Sequence, residues 1–196
     1  MFFITTIFFG GTTTSVNKMI LFALVITISL LIVVMLIEWL KKQPWKGNKK
    51  MRASLDAWKI AITQTSAELL RMSDVESSVR SSTEKWSKKE ILGHLIDSAA
   101  NNHQRFVRAQ LSGEVKLPAY DQRAWVQTQK YQEESWEELV AFWKQYNFFL
   151  LHLVQKIPTE KLKNFCFIGE QEPVTLEFLV TDYVSHLRHH LDQIIE

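Results

Sequence analysis

From Met19 to Leu40 the chain is almost unbroken hydrocarbon, with only Thr27 and Ser29 as polar interruptions between Ile20 and Ile37. An apolar run of about 18 to 20 residues is long enough to cross a bilayer as a helix, so a single transmembrane helix is expected over about 19–40. Beyond it the pattern changes in kind. Leu55, Trp58, Ile62 and Leu69 recur at helical spacing while Lys59, Thr63 and Glu68 fall off that stripe, which predicts an amphipathic helix over about 53–71. Ser73 to Lys85 is polar and reads as a loop or a frayed short helix. Ser87-Lys88-Lys89-Glu90 has the form of a capping box, with Trp86 placed to staple against Ile91. The helix it opens runs to about Leu111 and stops near Gly113. Its apolar arc is Ile91, Leu92, Leu95, Ala99 and Phe106, and a polar row of His94, Ser98, Asn101 and Arg105 follows one edge.

Residues 112–134 form a long connection containing Pro118, Tyr120 to Arg123 and Trp125, the kind of segment that builds a lid or a pocket wall. Ser135-Trp136-Glu137-Glu138 caps a third helix, whose inner face is Trp136, Leu139, Val140, Trp143, Asn147, Leu150, Leu151 and Val154, and Pro158 ends it. Lys161 to Val174 is irregular, broken by Gly169 and Pro173. Thr175 then caps a final helix over about 176–195. No stretch alternates well enough to predict a strand. The expectation is an all-α four-helix bundle over 51–196, preceded by the membrane segment and a basic linker in 1–50.

Composition supports long helices, since six Gly and four Pro in 196 residues leave few turns. The lone Cys166 excludes an intrachain disulfide and a Cys-rich zinc site, and it reads as a small apolar residue. Residues 1–50 carry Lys18, Lys41, Lys42, Lys46, Lys49 and Lys50 against Glu38, whereas the remainder is weakly acidic. That balance argues against a nucleic-acid partner. Because the lysines follow the apolar run, with Trp39, Lys41 and Lys42 as interface anchors, the expected topology is a single pass with the C-terminal domain in the cytoplasm. If translation begins at Met51 instead, the domain is simply cytoplasmic.

Histidines supply the candidate chemistry. On the final helix Leu176, Leu179, Val180, Tyr183, Val184, Leu187, Leu191 and Ile194 set the core direction. His186 and His190 lie at the edge of that stripe, about 40° apart, and His189 points to the far side. An i, i+4 pair can share one metal ion, although a polar helix edge gives the same pattern. His94 also borders a core stripe, and a bundle can bring it alongside as a third ligand. His152 falls on the outer face of the third helix. A His-Glu-x-x-His protease motif is excluded by Leu187, and the Glu-x-x-His set of di-iron bundles is absent.

Trp86 through Ser98, Trp125, and Thr175 through Ile194 with His186 and His190 together resemble the DinB-like (YfiT-like) superfamily over about 52–196. The resemblance implies an up-and-down-type four-helix bundle with a divalent metal at its mouth, the ligands carried over being His94, His186 and His190. That family includes bacillithiol S-transferases, mycothiol-dependent enzymes and members described as metal-dependent hydrolases.

The expected function is therefore a metal-dependent enzyme acting on a small molecule. Zn²⁺ (or Ni, Mn or Fe) would activate a low-molecular-weight thiol for S-transfer, or water for hydrolysis, against a small electrophile. Asp182 and Gln193 are candidates to orient the ligating rings, and Asp97, Asn101 and Arg105 to meet substrate from the second helix. The rival is a non-catalytic, membrane-tethered bundle that binds a ligand or partner. The oligomeric state stays open, a homodimer among the options.

Overall fold

The computed structural model describes residues 12–41 and 49–196, with side chains at 20–36 and 49–196. Two units, Met1–Pro44 and Trp45–Glu196, divide the chain. The first contains helix α1 (Thr12–Lys41), whose described side chains, Ile20 to Leu36, are all exposed. Among the described residues no helix is long and apolar enough to cross a membrane. The expected transmembrane helix over 19–40 and the single-pass membrane location are corrected accordingly. The side chains of Trp39, Lys41 and Lys42, expected as interface anchors, lie outside the described residues.

Four long helices make up the second unit: α2 (Lys49–Leu69), α4 (Lys88–Leu111), α6 (Trp136–Val154) and α7 (Leu176–Ile195). Between them come the short helices α3 (Asp74–Ser78) and α5 (Gln122–Gln129), and 3₁₀ turns at Tyr131–Glu133 and Thr159–Lys163. Helix α4 starts where the polar pattern places it. Ser87 Oγ accepts from the Glu90 N–H, and the Glu90 carboxylate accepts from the Ser87 N–H, closing the capping box. Ser135 and Thr175 cap α6 and α7 through their hydroxyls.

Packing departs from an up-and-down ring. Helix α4 packs on α6 and α7, and α2 packs on the same two, so α2 faces α4 across the core and α6 faces α7. Two consecutive pairs that would be neighbours in the simplest bundle, α2 with α4 and α6 with α7, are instead diagonal, while α4 and α6 stay adjacent. The long connections at 70–87 and 155–175 make those crossings possible. One buried polar knot joins three of the four helices: Asn147 Oδ1 on α6 accepts from Trp58 Nε1 of α2 at 3.1 Å and from the Tyr183 hydroxyl of α7 at 2.6 Å. Asn147 Nδ2 donates back to the Trp143 carbonyl at 2.9 Å, so both lone pairs and one of its two N–H groups are engaged.

A small sheet corrects the expectation of no strands. β1 (Glu114–Leu117) runs parallel to β2 (Phe165–Ile168), which pairs antiparallel with β3 (Val174–Thr175). Strands of four and two residues are too short for a period of two to show in sequence. The sheet ties the end of α4 to the start of α7, and Asn164 fastens the junction by donating to the carbonyls of Ala109 at 2.7 Å and Ser112 at 3.0 Å. Cys166 sits fully buried in β2, where desolvation raises its thiol pKa, as suits a packing residue.

Gly93 is where α4 meets Tyr131 most closely: a methyl group at Gly93 would fall inside the tyrosine ring. Gly93→Ala should cost about 1–3 kcal/mol in urea denaturation through overpacking. Asn147→Leu should cost roughly 2–4 kcal/mol, because it leaves the Trp58 and Tyr183 donors buried without an acceptor. A loss below about 0.5 kcal/mol for either variant would contradict these contacts.

Candidate metal centre

Histidines 94, 186 and 190 converge where α4 and α7 pack together. Among the described residues they form a group whose potential ligand atoms all lie within 4.8 Å of one another. His94 comes from the second turn of α4 and is fully buried, while His186 and His190, one turn apart on α7, are half-buried. Nε2 of His94 is 3.2 Å from Nε2 of His186. The ring centroids stand 5.1, 4.8 and 4.5 Å apart with the planes nearly perpendicular, so the rings point edges rather than faces at a common space.

Electrostatics keep all three imidazoles uncharged near neutrality. Burial is the largest cause, followed by the neighbouring histidines, and it holds His94 down at about 3 and His186 at about 4. His190 is lowered too, chiefly by burial, although its bond to Gln193 opposes the shift. Neutral imidazoles each keep one lone pair. His190 Nδ1 bonds Gln193 Oε1 at 2.8 Å, which makes Nδ1 the donor and leaves Nε2 with the lone pair. The same Gln193 amide reaches His189 Nε2 at 3.1 Å. His189 is exposed and stands outside the group of three, although its ring lies 5.1 Å from that of His190.

These donors fit a divalent ion. Imidazole nitrogens sharing one tetrahedral ion at about 2.0–2.1 Å stand about 3.4 Å apart, close to the observed 3.2 Å. Without a cation, the same contact is a hydrogen bond in which one of the two Nε2 atoms carries its proton. The buried Nδ1 of His94 has no hydrogen-bond partner, so no neighbour commits this ring to another role. Trp86 closes one side, its ring 5.2 Å from that of His94.

The other candidate residues separate. Asp97, one turn along α4, is buried and takes 2.7 Å and 2.8 Å bonds on Oδ1 from the Tyr131 hydroxyl and Gln129 Nε2. Its carboxylate thereby braces α5 and the following turn against α4, and burial raises its pKa. Asn101 donates to the Asp97 carbonyl within its own helix at 2.9 Å. Arg105 lies three turns beyond His94, and with Ser98, Tyr120, Asp182 and His186 it borders a cleft of about 290 Å³. Asp182 makes no hydrogen bond to His186, so of the two expected ring-orienting partners only Gln193 makes contact, and it does so with His190. His152 is exposed. Gln129 and Tyr131 were not foreseen, and only the length of the 112–134 connection pointed towards them; Trp86, expected as a staple against Ile91, also stands against His94.

The family model of the DinB superfamily matches residues 57–194. No curated protein matches the chain in sequence. Among solved structures, the chain is similar to YfiT from Bacillus subtilis, described as a probable metal-dependent hydrolase with an unusual four-helix bundle topology. That match has 19% identity and a TM-score of 0.65, covering 78% of this chain and 89% of that one. It is also similar to a mycothiol-dependent maleylpyruvate isomerase at 10% identity and a TM-score of 0.62, over 74% of this chain and 60% of that one. At these identities the likeness speaks for the fold.

Unfolded, each histidine titrates near 6.5, so between that value and about 4 the unfolded chain binds more protons than the folded one. The metal-stripped protein should therefore lose thermal stability steadily as pH falls from 6.5 towards 4, and His94→Leu should flatten that slope. A melting temperature that is constant across the interval would contradict the neutral, crowded cluster.

Proposed function

The chain belongs to the DinB superfamily, and we propose that it is a metal-dependent enzyme whose three histidines hold one divalent ion. The observation that carries this reading is the convergence of three neutral imidazoles, two of their Nε2 atoms 3.2 Å apart, at the mouth of a bundle. Borderline imidazole donors favour Zn²⁺, with Ni, Mn or Fe as alternatives. Such an ion supplies Lewis acidity, lowering the pKa of a thiol or a water so that it attacks a small electrophile at neutral pH. The neighbours' descriptions, one mycothiol-dependent and one a metal-dependent hydrolase, make both nucleophiles candidates.

The chain's own residues do the rest. Burial keeps His94 and His186 deprotonated and available as ligands through the physiological range. Gln193 fixes the His190 tautomer. Asp97, tied to Tyr131 and Gln129, holds the turn of α4 that presents His94 and sets the 122–133 segment over it. Trp86 shields that ring from water on one side.

Metal analysis of the purified full chain tests this directly. About one equivalent of divalent metal is expected, lost in His94→Ala, His186→Ala and His190→Ala but kept in His189→Ala. Stoichiometric metal in any of the first three variants would sink the three-ligand site.

A further inference from the structure

The cleft beside the histidines holds a cation that the cluster does not use. Arg105 projects from α4 into a space of about 290 Å³ whose far wall is α7 and whose base is the small sheet. It is half-buried, yet among the described residues it makes no hydrogen bond and no ion pair. Asp182, across the cleft on α7, acts on it only at longer range. A guanidinium removed from part of its water and left without an acceptor is costly, and an anion in the cleft would relieve that cost.

The rest of the lining narrows the choice of anion. Among the described residues Arg105 is the one full positive charge bordering the cleft, and Asp182 adds a negative one. That balance suits a single carboxylate, which matches the planar guanidinium fork, better than a doubly charged phosphate. Ile168, Val174, Phe178 and Leu179 give the same cleft an apolar side. Tyr120 adds a hydroxyl whose pKa is pushed up to about 12, chiefly by burial, so it stays protonated and able to donate. His186 borders the cleft as well, and a molecule lying in it therefore reaches from Arg105 to the histidine cluster.

We propose that this cleft is the substrate subsite and that Arg105 anchors the carboxylate of a small molecule with an apolar body, its reacting end turned towards His186. The proposal deepens the metal-enzyme reading and rests on it for the identity of the reacting end. The carboxylate anchor itself needs no metal.

The test uses the full chain stripped of metal by chelator, titrated calorimetrically with hexanoate, hexanamide and hexyl phosphate. Hexanoate should bind at least about tenfold more tightly than hexanamide, the scale of one charge-assisted contact. Arg105→Met should remove that preference, and Arg105→Lys should keep part of it. Equal binding of hexanoate and hexanamide by the wild type overturns the subsite, whether or not the variants fold. So does an unchanged preference in Arg105→Met, and a tenfold preference for hexyl phosphate overturns the carboxylate assignment. Metal content, measured on the same samples before stripping, separates the two readings. A carboxylate preference without bound metal sinks the metal centre alone, and bound metal without the preference sinks the anchor alone.

Discussion

Burying an unprotonated imidazole at His94 is the constraint on which the site depends. A histidine with no exposure loses its hydration, and the chain gives its Nδ1 no replacement partner. Two further histidines then crowd the same space, and their proximity disfavours a charge on any of the rings. A fold that needed only stability would fill this position with leucine. The arrangement makes physical sense when the lone pairs have a common acceptor, and a divalent ion is one that three imidazoles satisfy together.

Everything nearby serves to hold that geometry. The diagonal packing puts α4 against α7, so a histidine from the second turn of one meets an i, i+4 pair from the end of the other. The Trp58–Asn147–Tyr183 knot fixes α2, α6 and α7 in relation to one another without using any group at the site. One turn along α4 from His94, the bonds of Asp97 to Tyr131 and Gln129 fold the 122–133 segment back onto the helix. The sheet, small as it is, aligns the walls of the Arg105 cleft.

Local physics made much of this legible from sequence. The buried face of α7, from Leu176 through Ile194, is the set its 3.6-residue period selects, and that phase separated His186 and His190 from His189. The caps at Ser87, Ser135 and Thr175 mark helix starts that the structure repeats. Non-local features were not legible. The crossing order of the helices depends on where the connections at 70–87 and 155–175 travel, and no periodicity records that. Strands as short as Val174–Thr175 carry no alternation to detect. Asp97, read as a residue facing substrate, proved to be bound to two side chains more than thirty positions away. The apolar run near the N-terminus shows the opposite risk, since hydropathy alone suggested a span that the described helix does not support.

The central claim is that three imidazoles from two helices hold one ion. X-ray absorption spectroscopy of the metal-loaded full chain measures this most directly, because imidazole rings leave a characteristic multiple-scattering pattern. The account predicts three imidazole nitrogens at about 2.0–2.1 Å with the remaining positions filled by light oxygen scatterers. A shell made of oxygen alone, without the imidazole multiple-scattering pattern, would contradict it.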